Sequence, residues 1–219
     1  MIARGVEALG GERAITRWDT GKIRYRTSGN ILAELPADMD VQIEEVFQLP
    51  GQFKRVVRAT GKEKLVIVYV INGDQGWSRF GDGPVLPIPQ AANHDLHDFV
   101  RFFGLPASPP GDARYSLLGE QLVNGRPTEG VRMEAGEAGT FDLYFDTERG
   151  LLVKKNATVS DPKDGRQVRC EVYLDEYKDV QGGKVPMKMQ SRIGSRTIGI
   201  TILDVEFVDD IDEKEFAKP

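Results

Sequence analysis

The two histidines of the chain, His94 and His97, stand about one helical turn apart, and Asp98 follows directly. On a helix these three side chains share one face, and imidazole and carboxylate groups are common ligands for divalent metals. A closed zinc site needs four ligands, and few further donors stand close in the sequence. We therefore expect a solvated helix face and no metal, with a metal-dependent enzyme using His94 and His97 as the less favoured alternative.

Cys170 is the single cysteine, so the chain cannot form an internal disulfide. It alternates with Val168 and Val172 against polar neighbours, a pattern that predicts a buried, inert core thiol rather than a nucleophile. The sequence contains no nucleophile elbow, phosphate-binding loop or dinucleotide fingerprint. We expect no catalytic residue and no cofactor, and therefore a binding protein rather than an enzyme.

The charge pattern argues against nucleic acid as a partner. Lys and Arg total 29 against 34 Asp and Glu, for a net charge of -5, and the basic residues form no block. Phosphate backbones require such a block. The sequence has no apolar run of the 18 residues that a membrane-spanning helix needs, and it does not begin with a basic and then apolar leader. These features predict either a cytosolic protein or a trimmed mature domain, without a transmembrane segment.

Period-two alternation predicts that most of the chain forms strands. Val41, Ile43 and Phe47 alternate with polar residues, and Glu45 interrupts this inward set. The run 65–71 is uninterruptedly apolar, which predicts a central strand covered on both faces. Paired turn residues such as Asn-Gly separate the runs at the spacing of an antiparallel meander. We expect one mainly β (α+β) domain over 1–219, with a sheet of roughly ten antiparallel strands.

Two helical segments are predicted to pack on this sheet. The first covers about 2–18 and is interrupted at 10–11 by two glycines, and the second covers about 91–103 after a loop-like stretch at 81–89. The apolar strand faces outnumber what two short helices could cover in a flat stack. A curved sheet that forms an incomplete barrel wrapped around the helices would solve this.

The order of several segments resembles the outer-membrane lipoprotein carrier superfamily, the LolA/LolB-like half-barrels. The resemblance covers most of the chain. The segments that carry it are Ala-Leu-Gly-Gly (8–11), Leu-Pro-Gly-Gln-Phe-Lys-Arg (49–55), Ile-Asn-Gly-Asp-Gln-Gly-Trp (71–77), Tyr-Phe-Asp-Thr-Glu-Arg-Gly-Leu-Leu-Val-Lys-Lys (144–155), Tyr-Lys-Asp-Val-Gln-Gly-Gly-Lys-Val-Pro (177–186) and Ile-Asp-Glu-Lys-Glu-Phe-Ala-Lys-Pro (211–219).

The resemblance implies an apolar cavity for acyl chains, with the 91–103 helix and the 81–89 loop as its gate. It implies lipid or lipoprotein acyl chains as ligands and a periplasmic or outer-membrane-associated location, and a cytoplasmic location stays open. Aromatic and methionine side chains are the types that line adaptable pockets. The predicted cavity residues are Trp77, Phe99, Phe103, Met133, Phe141, Phe145, Met187 and Met189.

The same residues could instead form an ordinary packed core, because alternation does not distinguish an empty cavity from a filled one. The alternative function is then a protein–protein interaction or envelope-sensing module of the same fold, with a self-filled cavity and an envelope protein as partner. An exposed patch of Phe99, Phe102 and Phe103 would favour that alternative.

Overall fold

A computed structural model describes residues 1–29, 39–61, 64–88, 113–136, 139–160 and 166–219. The helix predicted at 91–103 lies outside these ranges. The sequence-predicted residues on it, namely His94, His97, Asp98, Phe99, Phe102 and Phe103, therefore lie outside them as well.

Thirteen strands form one antiparallel sheet within the described ranges, which confirms the mainly β fold. The strands are β1 (Thr20–Ser28), β2 (Asp40–Gln48), β3 (Gln52–Thr60), β4 (Lys64–Asn72), β5 (Gln75–Phe80), β6 (Val85–Pro87), β7 (Arg114–Val123), β8 (Arg126–Glu134), β9 (Thr140–Asp146), β10 (Leu152–Ser160), β11 (Gln167–Val180), β12 (Gly183–Ile193) and β13 (Arg196–Phe207). The sheet thus has more strands than the roughly ten expected.

One of the additional strands corrects an expectation about the 81–89 stretch. Three of its residues form strand β6, whose Val85 and Leu86 lie opposite Arg79 and Ser78 of β5. Pro87 is tolerated because β6 is an edge strand in the described sheet, where a missing N–H costs no ladder hydrogen bond. Three prolines in this stretch favoured a loop, and edge pairing overrode that local preference.

The sheet order is β6-β5-β4-β3-β2-β1-β13-β12-β11-β10-β9-β8-β7. Within the described part of the chain the sheet is open, with β6 and β7 at its two edges. Most neighbours in the sheet are also neighbours in sequence, as expected for strands joined by tight turns. The exception is the pair β1 and β13, the first and last of the thirteen strands, which lie side by side.

Two short helices precede the sheet: α1 spans Ile2–Ala8 and α2 spans Glu12–Ile15. A 3₁₀ turn follows at Thr16–Asp19. The break between the helices falls at Gly10, whose φ of 109° suits glycine and whose missing side chain would meet the carbonyl oxygen of Gly182. Every helix in the described ranges is too short or too polar to span a bilayer.

The described residues form two compact units. The β7–β12 unit contains α1 and α2, the β1–β6 unit contains a 3₁₀ turn at Glu213–Phe216, and β13 contributes to both. Two compact units can belong to one structural domain, so the single-domain interpretation of 1–219 stays a prediction.

In the β1–β6 unit, alternation places one side of each strand in the interior. Tyr25, Ile43, Val57 and Ile67 lie opposite one another across β1 to β4, and all four are at most 2% exposed. The other side of β4 is covered as well, because Val68 and Val70 pack with Ile211 and Phe216 of the terminal segment. This explains the uninterrupted apolar run 65–71: β4 has apolar contacts on both faces.

Candidate functional site

One face of β8–β12 carries most of the predicted cavity residues that the structure describes. We call it the C-terminal apolar face and define it by buried side chains that share this side of the strands. They are Val131, Met133, Leu143, Phe145, Val172, Leu174 and Met189. Phe141 lies on the same face opposite Met133, and the half-buried Met187 precedes Met189 by one full alternation in β12.

Helix α1 packs directly on Phe145, which is fully buried. A Cβ atom at Gly5 would lie 2.5 Å from Phe145 Cε1, so the helix backbone rests on the ring. The helix is also tied to β12, because the Lys184 amide donates a hydrogen bond to the Leu9 carbonyl at 2.9 Å. Phe145 is therefore a packing partner of α1, and Met133 and Phe141 lie further along the same face.

A lysine interrupts the C-terminal apolar face. Lys155 is only 5% exposed and lies between Leu143 of β9 and Val172 of β11. Its Nζ is 4.6 Å from the centroid of the Phe141 ring, a distance at which the ring face attracts a cation. The sequence analysis did not identify this residue. The sequence nevertheless contained a signal for it. Successive side chains on a strand point to opposite faces, so one of the two adjacent lysines must point to the apolar face.

Lys154, the neighbouring residue, shows the opposite arrangement. It points to the other face of the sheet, where its Nζ lies 2.8 Å from Glu171 Oε1 and 4.9 Å from the Tyr173 ring centroid. Burial is the largest effect and lowers the pKa of Lys154, but the hydrogen bonds and charges of Glu171 and Tyr173 together outweigh it, so the pKa is raised. Lys154 is thus a cation in a polar surface ladder, whereas Lys155 is a cation among apolar side chains.

Cys170 also lies on the C-terminal apolar face, opposite Ala157, and it is 1% exposed. Burial raises the pKa of its thiol to about 11, while the positive charge of Lys155 acts in the opposite direction. At neutral pH the thiol is protonated and is therefore a poor nucleophile.

The β1–β6 unit contains a buried polar cluster of its own. Glu45 Oε1 accepts a hydrogen bond from the Tyr25 hydroxyl at 2.7 Å and one from Arg55 Nε at 2.8 Å. Glu45, which interrupts the apolar inward set in the sequence, still points inward and is 1% exposed. Burial raises the pKa of Tyr25 well above its ordinary value, and the negative charge of Glu45 adds to this effect. The phenol thus stays protonated and remains a hydrogen-bond donor.

Trp77 does not share a face with this cluster. It is half-buried on the other side of the β1–β6 unit, against the group formed by Val68, Val70, Ile211 and Phe216. Among the described residues it thus packs on a group formed by β4 and the chain's own C-terminal segment. No group of three or more histidine, cysteine, aspartate or glutamate side chains in the described ranges is arranged to hold a metal. His94, His97 and Asp98 lie outside those ranges.

Comparison with solved structures identifies the fold. A LolA superfamily protein from Nitrosomonas europaea superposes with a TM-score of 0.59 at 13% sequence identity, covering 98% of this chain and 97% of that chain. A DUF1329 family protein from Desulfovibrio piger gives a TM-score of 0.56 at 10% identity, covering 97% of this chain and 95% of that chain. No protein-family model and no curated protein sequence matches the chain. The protein therefore has a LolA-like fold, with a distant sequence relation to the proteins that share it.

Proposed function

We propose that this protein binds an acyl chain, carried by a lipid or by a lipoprotein anchor, on the C-terminal apolar face and without catalysis. The observation that carries the proposal is that Met133, Phe141, Met187 and Met189 lie on one face of β8–β12. Methionine side chains are flexible and polarisable, and aromatic rings offer a large contact area, so such a face adapts to a long chain. Each buried methylene of the ligand would contribute about 0.8 kcal/mol.

The LolA-like fold supports the same proposal from a second direction. Proteins with this fold include lipoprotein carriers, which supports a location in the bacterial periplasm or at the outer membrane as part of the proposal. The predicted helix at 91–103 is then a lid over the bound chain. Its aromatic residues Phe99 and Phe103 belong to the proposed set of ligand contacts.

Native mass spectrometry of the gently purified protein tests the proposal, followed by solvent extraction and lipid analysis of any bound species. We expect co-purifying acyl species and uptake of a fluorescent fatty acid. Phe141→Glu should abolish the uptake, because it places a charge on the half-buried part of the face. Leu122→Glu introduces the same charge at a side chain that is 72% exposed and should leave uptake unchanged. A bare mass together with no fatty-acid uptake would contradict acyl binding.

A second candidate function is an interaction module whose apolar faces are filled by its own side chains. Edge strand β7 favours it, because Tyr115, Leu117 and Leu122 are 44%, 73% and 72% exposed. Exposed apolar residues on an edge strand invite pairing with another strand. The strand of a second copy is the first partner to test. Sedimentation velocity at rising concentration should then show a dimer that Leu117→Lys removes, and a monomer at all concentrations would argue against this candidate.

A further inference from the structure

Edge strand β7 contains a bulge that changes which of its side chains share a face. Before the bulge, Tyr115 and Leu117 lie opposite Met133 and Val131 of β8. The register then shifts by one residue between Leu117 and Gly119, and Gly119 takes a positive φ of 83° that suits glycine.

The bulge brings the residues after it to the face of those before it. Strict alternation would place Glu120 and Leu122 on the side opposite Leu117. Because of the extra residue, they lie instead opposite Glu129 and Pro127, on the same face of β8 as the partners of the first two side chains. We call this exposed row the β7 stripe, and its members are Tyr115, Leu117, Glu120 and Leu122.

Glu120 and Glu129 form a like-charged pair across β7 and β8. They are direct cross-strand partners, a relation that places Cβ atoms about 4.5–5.5 Å apart and destabilises a sheet when the two charges are alike. Glu120 is exposed and Glu129 is half-buried. No hydrogen bond or ion pair reaches either carboxylate from the part of the chain that the structure describes. The pair therefore offers an unsatisfied site for a cation.

A cavity of about 340 Å³ opens beside this pair, at the hairpin end of β7 and β8. Glu120, Leu122, Pro127 and Thr147 are among the residues that line it. It thus combines a carboxylate with apolar walls. The side chain of a lysine or arginine matches both, because an aliphatic stem carries its charged head.

The backbone of β7 is open on one side, because the strand is an edge of the described sheet. An extended segment that paired with this edge would place alternate side chains against the β7 stripe. A second copy of the chain would bring the same acidic pair and a net charge of -5. Charge complementarity therefore favours a basic partner over a second copy.

We propose that β7 binds an extended segment of a partner protein in which apolar residues flank a lysine or arginine. The segment adds a strand to the sheet edge. Its apolar side chains lie on the apolar members of the β7 stripe, and its cation lies between Glu120 and Glu129. This inference goes beyond acyl binding, and it gives the interaction module a partner of defined chemistry.

Fluorescence anisotropy tests the inference, with short labelled peptides titrated with the whole protein. The peptides alternate valine and threonine, and they differ only at one central valine position, which is replaced by lysine, norleucine or glutamate. At low salt we expect the lysine peptide to bind about fivefold more tightly than the norleucine peptide and about thirtyfold more tightly than the glutamate peptide. High salt should reduce both preferences.

Two variants separate the acidic pair from the general charge of the protein. The double variant Glu120→Gln with Glu129→Gln should reduce the preference for lysine over norleucine to less than about twofold, because the amides keep the shape and remove the charge. Glu134→Gln removes an exposed carboxylate from the opposite face of β8 and should preserve the wild-type preference.

Backbone methylation of the lysine peptide tests strand addition. Two isomers carry methyl groups on alternate nitrogens, so that each blocks one edge of the extended peptide. A strand pairs with β7 through one edge only, so one isomer should bind like the parent peptide and the other at least about tenfold more weakly. Binding of both isomers at the parent's affinity would overturn strand addition.

The remaining outcomes decide between the partners. Equal binding of the lysine and norleucine peptides to the wild type would overturn the inference, as would a loss of preference in Glu134→Gln as large as in the double variant. No binding of the lysine peptide up to about 1 mM would overturn it as well. A dimer in sedimentation velocity that excess lysine peptide does not dissociate would assign the edge to a second copy. Fatty-acid uptake should be unchanged in the double variant, so failure here leaves acyl binding in place.

Discussion

Arg55 Nε donates a hydrogen bond to Glu45 Oε1 at 2.8 Å, and the two side chains are 7% and 1% exposed. The pair lies in the interior of the β1–β6 unit, where the Tyr25 hydroxyl binds the same carboxylate oxygen at 2.7 Å. Burial is the largest effect and lowers the pKa of Arg55, but the charge and hydrogen bond of Glu45 together with the nearby Tyr25 and Tyr69 outweigh it, so the pKa is raised. Arg55 is therefore a permanent cation that compensates the Glu45 charge.

Arg55→Met should destabilise the fold by about 3–5 kcal/mol, because it leaves the Glu45 carboxylate buried without its cationic partner. Urea unfolding at neutral pH measures the loss. Arg58→Met is the matched control on the neighbouring surface, where Arg58 and Glu44 form an exposed pair at 2.7 Å, and it should cost at most about 1 kcal/mol. The double variant Glu45→Leu with Arg55→Met should recover most of the loss. Equal effects of Arg55→Met and Arg58→Met would contradict this account.

Gly5→Ala should destabilise the β7–β12 unit by about 1–3 kcal/mol, because the new methyl group overlaps the Phe145 ring. The change places alanine in a helix, where it is normally favourable, so a loss of stability reports the close contact. Gly51→Ala is the control, since no atom lies within 4 Å of its Cβ position. Thermal unfolding compares the two variants. A stabilised Gly5→Ala would mean that α1 can move away from Phe145 at little cost.

Cys170 should react slowly with a thiol reagent such as a disulfide dye at pH 8. Burial raises its pKa to about 11, so only a small fraction is thiolate, and access is limited as well. Lys155 lowers that pKa, so Lys155→Met should slow the reaction further. The unfolded protein in denaturant, with an ordinary thiol pKa of about 8.5, gives the reference rate. Reaction at the unfolded rate under native conditions would show that the C-terminal apolar face opens readily.

Glu215→Gln should destabilise the protein at neutral pH by up to about 1 kcal/mol, the value for a partly exposed pair. Lys54 Nζ lies 2.7 Å from Glu215 Oε2, and this hydrogen bond lowers the pKa of Glu215. A carboxylate with a lowered pKa stabilises the fold above its unfolded pKa, about 4.3, and this stability is lost as the pH falls through the lowered value. The difference from wild type should therefore vanish in acid.

Glu213→Gln is the control for this pH series, because Glu213 is exposed on the same 3₁₀ turn. Both variants are compared with wild type by urea unfolding between neutral pH and about pH 3, below the ordinary range of a carboxyl pKa. A Glu215→Gln effect that persists unchanged in acid would show that the pair with Lys54 is not its origin.

Alternation predicted the β-rich fold and the apolar sides of β9, β11 and β12 because side-chain direction in a strand has a strict period of two. It could not predict which long-range neighbours cover a strand. Trp77 illustrates this limit. Its sequence context does not show that it packs against a group that includes Phe216, a residue far along the chain.

The charged residues of the interior show a second limit. Glu45 and Lys155 stand at inward positions, but their surroundings depend on tertiary contacts that no local pattern contains. For Glu45 the decisive contact is Arg55 on the next strand, and register places the two opposite each other. A rule that flags charges at inward positions of alternating strands would have selected both residues, and such charges are the ones that need a partner or a function.

The position of β13 between β12 and β1 has a consequence for biogenesis. During synthesis, β1 leaves the ribosome before every other strand of this sheet and lacks its neighbour on that side until β13, the last of the thirteen, has been made. Both β1 and β12 then present temporary edges with unpaired backbone groups, which are sites for misassociation. A chain truncated before Arg196 keeps these edges permanently, so it should aggregate even though every earlier strand is present. The last strand is thus the element whose loss converts this sheet from a folded protein into an aggregation template.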